Sequence, residues 1–182
     1  MGIDSKAIIL KYYDSHSELF NSLWVHSFCV MQKAIKVARE SGIDLDIEFV
    51  KDASLLHDIG IFKCNAPSIY CYGELPYICH GICGKEILEK EGLIKHALVC
   101  ERHTGAGLSK ENIISQKLPL PQRDMLPMTI EEKLICYADK FFSKSGNLTE
   151  EKNIDAVIKS IKKHGVDVEL RFNLLHEMFK RK

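Results

Sequence analysis

Apolar residues in this chain recur mostly at threes and fours, the spacing of helices that bury one face. Between Ser17 and Ser41 the series Leu19, Phe20, Leu23, Trp24, Phe28, Met31, Ile35 and Ala38 keeps this period, and Gly42 follows as a stop signal. One long helix, or two abutting ones, is predicted. Asp46 stands where a cap is expected, ahead of Phe49, Val50, Ala53, Leu56 and His57, so a further helix runs toward Gly60. Residues 61–75 hold Pro67 and Gly73 without a period and read as a loop. A helix from about Tyr77 to Lys90, closed by Gly92, carries His80 in its first turn. Leu93 to His103 forms a short apolar-sided helix ended by Gly105 and Gly107. Residues 104–128, rich in proline, read as a second loop.

Thr129-Ile130-Glu131-Glu132 has the spacing of a capping box, and Asp139 falls ten residues into the helix that it opens. Two amphipathic stretches follow, about Glu150 to His164 and Val166 to Lys180, with Ile154, Val157, Ile161, Leu170, Leu174 and Leu175 as buried candidates. No clear strand, internal repeat or low-complexity linker interrupts the pattern. An all-α, single-domain helical bundle over residues 1–182 is expected.

Composition narrows the function classes only modestly. The chain has 182 residues, 46% hydrophobic and 27% charged, which is ordinary for one globular domain. Lys plus Arg equals Asp plus Glu at 25 each, so no global field draws the protein to nucleic acid or to an anionic membrane. The stretch Met1 to Lys6 lacks the basic and apolar regions of a secretory signal, and no apolar run is long enough to span a membrane. Seven cysteines, an odd number and scattered, read as reduced thiols. A cytoplasmic protein is expected.

The chemistry centres on His57-Asp58. Adjacent imidazole and carboxylate groups can both reach one divalent cation, and the second carboxylate oxygen can reach another beside it. His26 lies upstream, His80 and His103 follow at steps of 23, and Asp139 comes last. These residues cannot share one helix face, so they form a two-metal centre only if several helices converge on a point, as helical bundles allow.

The strings that carry these residues resemble the HD superfamily of metal-dependent phosphohydrolases. His57-Asp58-Ile59-Gly60 is similar to the family's doublet with its trailing glycine. His80-Gly81-Ile82-Cys83-Gly84-Lys85-Glu86-Ile87-Leu88 and Glu101-Arg102-His103-Thr104-Gly105 resemble its third- and fourth-histidine segments. Tyr137-Ala138-Asp139-Lys140 resembles its terminal-aspartate segment, so the likeness covers about residues 24–143, with helices of about residues 150–180 packed on that core. Small stand-alone bacterial and archaeal members are the most similar branch.

The resemblance implies one metal on His26, His57, Asp58 and Asp139, and a second on Asp58, His80 and His103. The two divalent ions would be drawn from Fe, Mn, Mg, Ni, Co or Zn. It implies hydrolysis of a small phosphorylated metabolite, a nucleotide foremost, as a phosphomonoesterase or a phosphodiesterase, by a metal-activated hydroxide attacking phosphorus in line. Two divalent cations, two aspartates and a bridging hydroxide leave a local charge of about +1, which draws an anion. Asp58 is the central catalytic candidate. Lys63, Lys85, Arg102, Arg123 and Lys140 are near the ligands in sequence and are candidate phosphate contacts, Lys63 and Arg102 beside the reacting group. Many relatives carry a basic residue directly after His-Asp-x-Gly; here that position is Ile61, and Lys63 is the nearest lysine.

Plainer readings compete at several positions. His96, seven residues before His103, is a candidate proton donor, although a partly exposed structural role is the better reading. His16, His164 and His176 read as surface residues. Cys64, Cys71, Cys79 and Cys83 lack paired zinc-knuckle spacing and read as packing residues. Glu101 and Arg102 read equally well as a salt-bridged pair, and Pro119 to Arg123 as a lid or a rigid connection. Two rival functions share the ligand set: a diiron oxygenase of HD type, and a sensor that holds a phosphorylated ligand without turning it over. Neither nucleic-acid nor membrane partners are expected, and nothing in the sequence speaks to the oligomeric state.

Overall fold

The structure is a computed structural model that describes residues 3–180, so Met1 and Gly2 of the amino-terminal stretch lie outside the described residues. Capping chemistry sets most helix starts. Asp4 accepts from Ala7 N to open α1 (Ser5–Leu10), Ser17 from Phe20 N to open α2 (Glu18–Ser41), and Asp46 from Phe49 N to open α3 (Ile47–Leu56). Gly42, at φ 66°, ends α2 in the left-handed conformation that glycine adopts without steric cost. The remaining helices are α4 (His80–Lys90), α5 (Ile94–Arg102), α6 (Lys110–Ser115), α7 (Ile130–Asp139), α8 (Ile154–Ile161) and α9 (Val166–Phe179).

Four local expectations are corrected. The stretch read as loop and free of strands holds three short ones, β1 (Cys64–Ala66), β2 (Cys71–Tyr72) and β3 (Leu75–Pro76), ordered β2-β1-β3. β1 pairs antiparallel with β2 and parallel with β3, in runs too short to show a period of two. Gly73 makes this fold-back possible, because a Cβ there would stand 2.2 Å from the Lys63 carbonyl carbon. The stretch 104–128 contains α6, capped by Ser109 and Asn112 in a reciprocal box; six residues are too few to carry a helical period. The helix placed from Tyr77 begins with a 3-10 turn and becomes α-helical at His80, and the one placed from Glu150 begins at Ile154.

The fourth correction concerns faces. Leu170 and Leu174, expected inside, are 59% and 69% exposed, while Val168, Phe172, Leu175 and Phe179 supply the buried side of α9. Phe28 likewise turns outward, and the buried line of α2 runs through Leu23, His26, Val30, Ala34 and Val37. A helix with apolar residues on two sides gives no phase from sequence alone.

Two large hydrophobic clusters build most of the interior, beside two small ones around Cys64 and Ile113. One joins the later part of α2 and the start of α3 to α7, α8 and α9 through Val30, Val50, Leu134, Val157 and Phe172. The other joins α1, the start of α2 and the end of α3 to α4 and α5 through Ile9, Leu23, Leu56, Leu88 and Cys100. The candidate ligand His26 lies where α2 passes from one large cluster to the other. On α2, Leu23 belongs to one and Val30 to the other, with His26 between them.

Close backbone approach brings the α4 ligand in. A Cβ on Gly60 would stand 2.3 Å from both His80 O and Gly84 N, and one on Gly81 would stand 2.5 Å from Cys100 O. Gly60 and Gly81 therefore let α4 press on the turn after the His-Asp doublet and on α5. Among the described residues, no helix is long and apolar enough to cross a membrane.

Candidate metal centre

Six buried side chains converge. His57 and His103 occupy the carboxyl-terminal caps of α3 and α5, His80 opens α4, His26 lies inside α2 and Asp139 ends α7. All six ligand-type residues, Asp58 included, are at most 5% exposed. One set, His26, His57, Asp58 and Asp139, and another, Asp58, His80 and His103, each place ligand atoms within 4.8 Å of one another.

A backbone carbonyl three residues back aims each of three imidazoles. For His57 and His103 it is one of the last carbonyls of a helix, which lack intrahelical partners. For His80 it is Tyr77 O in the 3-10 turn ahead of α4, which also accepts from His80 N. His57 Nδ1 lies 2.7 Å from Ser54 O, His80 Nδ1 2.7 Å from Tyr77 O and His103 Nδ1 2.9 Å from Cys100 O. Donating Nδ1–H to a carbonyl assigns the tautomer and leaves the Nε2 lone pair directed inward, as a metal-binding histidine requires.

Asp58 divides its two oxygens between the sets. Oδ2 lies 2.9 Å from His57 Nε2 and 3.3 Å from His26 Nε2, while Oδ1 lies 3.3 Å from His103 Nε2 and 3.4 Å from His80 Nε2. Asp139 Oδ1 closes the first set, 3.0 Å from His26 Nε2 and 3.5 Å from His57 Nε2. Such spacings suit the edges of coordination shells with bonds of about 2.1 Å.

The donor atoms pass the test for a missing cation. His80 Nε2 and His103 Nε2 face each other at 3.1 Å, yet with both Nδ1 atoms protonated neither has a proton to share. His57 Nε2 and both Asp58 oxygens are buried without a well-formed hydrogen bond. Burial and the neighbouring His103 hold His80 down to about 3, so it stays a neutral ligand. His103 is also pushed down by burial. Burial opposes charge on His57, but the Asp58 and Asp139 carboxylates outweigh it and lift that imidazole to about 9, so without a cation its Nε2 also carries a proton, which metal binding would release. Despite burial, the His57, Lys144 and Lys140 charges keep Asp58 and Asp139 ionised, well below the usual carboxylate range.

A cavity of about 650 Å³ opens beside the cluster, with His80, His103 and Asp139 in its wall. Of the basic residues singled out from sequence, Lys140 lines this cavity, its Nζ 2.5 Å from Asp139 Oδ2. The other four do not, because carboxylates elsewhere take their charges. Lys63 faces Glu86 at 3.8 Å, Lys85 lies 3.1 Å from Glu101, Arg123 also donates to Glu101, and Arg102 reaches Glu132 at 3.0 and 3.1 Å. Glu101 and Arg102 are thus paired with other residues, not with each other.

Glu132 also accepts from Met128 N at 2.8 Å, so its half of the Thr129 capping box is diverted, although Thr129 still accepts from Glu132 N. His96 packs on Phe49, with ring centroids 4.8 Å apart, and is absent from the cavity wall. His16 is exposed, His164 is exposed at the cavity rim, and His176 is half-buried with Nδ1 2.9 Å from Tyr137 Oη. The segment Pro119 to Pro121 borders a smaller cleft with Lys63 and Cys79, and Cys64, Cys79 and Cys83 pack together as small apolar groups.

Sequence reasoning missed two lysines. Lys144 lies in the cavity wall with Nζ 2.7 Å from Asp58 Oδ2 and 3.9 Å from Asp139 Oδ1. Although burial opposes its charge, Asp58, Tyr77 and Asp139 hold Lys144 protonated well above the usual lysine value. Lys152 lines the same wall and donates to Phe142 O at 3.3 Å. The available signal was the run from Lys140 to Lys152 directly after Asp139, which resembles an ordinary solvated loop.

Comparison with known proteins agrees with this arrangement. The HD domain family model matches residues 23–143. An uncharacterized protein of Methanocaldococcus jannaschii is 37% identical over 142 residues, covering 76% of this chain and 74% of that protein. A tRNA (cytidine(56)-2′-O)-methyltransferase of Picrophilus torridus is 38% identical over 136 residues, 74% of this chain but 35% of the relative. The protein of the same name from Thermoplasma volcanium is 29% identical over 171 residues, 93% of this chain and 44% of the relative. The chain therefore spans less than half the length of either methyltransferase. No solved structure matches. With a family match that takes in all six converging residues and a mainly helical fold that brings them together, the chain belongs to the HD-domain superfamily.

Proposed function

We propose that the protein is a metal-dependent phosphohydrolase acting on a small phosphorylated metabolite, with nucleotides the first class to test. The observation that carries this reading is the division of Asp58, one oxygen toward His26 and His57 and the other toward His80 and His103. That is the donor set of a dinuclear site. His26, His57, Asp58 and Asp139 would hold one divalent ion and Asp58, His80 and His103 the other. When bound, such ions would polarise a phosphoryl oxygen and supply hydroxide at neutral pH.

The chain's own residues do the rest. His57, His80 and His103 keep their Nε2 atoms inward by donating Nδ1–H to backbone carbonyls three residues back. Lys140 and Lys144 bring positive charge to the cavity wall nearest the carboxylates. Ile78, Leu108, Leu118, Phe142 and Ile161 line the same cavity and favour a leaving group with an apolar body, as a nucleoside has. In hydrolysis the water oxygen bonds phosphorus, the ester P–O bond breaks and the leaving alcohol takes a proton. Two relatives named for methylating tRNA contain a segment similar to this chain, which favours a substrate from nucleotide or RNA metabolism.

An oxygenase with two irons would use the same ligands, so the test separates the two chemistries. Protein purified without chelator is assayed for bound metals and screened anaerobically, with manganese or iron, against phosphate esters. Phosphate release without dioxygen, abolished in Asp58→Ala, is expected. Two bound irons with no anaerobic ester cleavage, and uptake of dioxygen with an organic substrate, would sink the phosphohydrolase reading.

A further inference from the structure

Three lysines line the cavity. Lys140, Lys144 and Lys152 all stand on the segment that leaves α7 and crosses to α8. Their carboxylate partners are unequal. Lys140 faces Asp139 at 2.5 Å and Lys144 faces Asp58 at 2.7 Å, whereas Lys152 makes no ion pair among the described residues and donates only to the Phe142 carbonyl. Among the described residues Asp139 is the one carboxylate that lines this cavity, and Asp58 is fully buried.

The imbalance grows in the holo state. Cations held by Asp58 and Asp139 would take over the two carboxylates that Lys140 and Lys144 now face. Three ammonium groups would then line a concave space with no free carboxylate in it among the described residues. Like charges so gathered cost free energy unless an anion joins them. Burial, helped by the Lys140 and Lys144 charges, already pushes the Lys152 ammonium below the usual lysine value, as expected of a cation short of a partner.

We infer that Lys140, Lys144 and Lys152 form a subsite for a terminal phosphoryl dianion, so that the substrate is a phosphomonoester and not a phosphodiester, with Lys152 reading the second negative charge. A diester has one charge at phosphorus and a second carbon substituent where the third free oxygen of a monoester would meet Lys152. Lysine suits this task as a point charge on a flexible stem, able to follow an unblocked oxygen. Which ester bond is cleaved rests on the phosphohydrolase reading; the binding of the dianion does not.

The experiment uses the full chain with manganese. It compares a nucleoside 5′-monophosphate with its methyl-capped diester as substrates, and measures inorganic phosphate binding by calorimetry, in wild type, Lys152→Gln and Lys152→Arg. A single charge-assisted contact corresponds to about tenfold or more in binding. The expected result is preferential cleavage of the monoester. Lys152→Gln then raises KM for the monoester about tenfold with kcat little changed, leaves the diester unaffected and weakens phosphate binding to match, and Lys152→Arg restores most of it. Equal cleavage of both esters with no effect of Lys152→Gln would overturn the subsite and leave the phosphohydrolase intact. Tenfold weaker phosphate binding in Lys152→Gln with no ester cleaved by any form would uphold the dianion site and remove the hydrolase reading. Phosphate binding that ignores Lys152, with no ester cleaved, would remove both.

Discussion

Glu101 and Glu132 show how individual residues can be misjudged when only their neighbours in sequence are visible. Both are buried, at 5% and 4% exposure, and each gathers cations that looked available for substrate. Glu101 receives Lys85 and Arg123, and Glu132 receives Arg102. A buried carboxylate without such partners would be costly, so the lysine and arginines hold the scaffold together. Although burial resists ionisation of Glu101, the Arg123 and Lys85 charges hold it below the usual carboxylate range. A group so depressed contributes stability above its unfolded value, about 4.3, and loses it as pH falls further. Glu101→Gln is therefore expected to melt below wild type at pH 7, with the gap narrowing as pH falls below about 4.3. Thermal melts across that range check it, and a gap constant with pH would contradict the ion-pair account.

At the scale of elements, the site depends on how closely α4 approaches its neighbours. The trailing glycine of His57-Asp58-Ile59-Gly60 is legible as a motif, but its reason is a contact with a segment twenty residues on. Any side chain at Gly60 would strike the His80 carbonyl and the Gly84 amide, which are backbone and cannot swing aside. Gly60→Ala is expected to push α4 outward, cost about 1–3 kcal/mol and lose the second metal before the first. Metal titration followed by elemental analysis reads this directly; full occupancy of both sites at wild-type affinity would refute it. The helices with strong caps, α2, α3 and α7, were legible from sequence. Short pieces were not. The strands between 64 and 76 and α6 take their stability from packing and long-range pairing, which local propensity does not record.

For the molecule as a whole, His26 stands on α2 between the two large hydrophobic clusters, so a metal held there would be coupled to the core without being the core. Lys140 and Lys144 face Asp139 and Asp58 when no metal is bound and so limit the cost of two buried carboxylates. Chelation should therefore weaken the fold without abolishing it. At a free metal concentration about a hundredfold above Kd, each site contributes about 2.7 kcal/mol, or roughly 5–10 °C in Tm for a chain of this size. Calorimetry with and without chelator is expected to show that drop, with circular dichroism still helical. An unchanged Tm would argue against resident metals.

The sequence by itself determined the helical class, the capped ends of the long helices and the six residues able to ligate a metal. Those features are written in local chemistry: a period near 3.6, cap side chains, and the imidazole and carboxylate groups themselves. Tertiary structure alone decided which Nε2 atoms meet, which oxygen of Asp58 each set shares, and which side of α9 is buried. It also decided which lysines face the cavity. Lys63, Lys85, Arg102 and Arg123 were near the ligands along the chain but are held by carboxylates elsewhere, while Lys144 and Lys152 reach the cavity from a loop without a motif. Charge acts through space over several ångströms, and distance along the chain does not measure it.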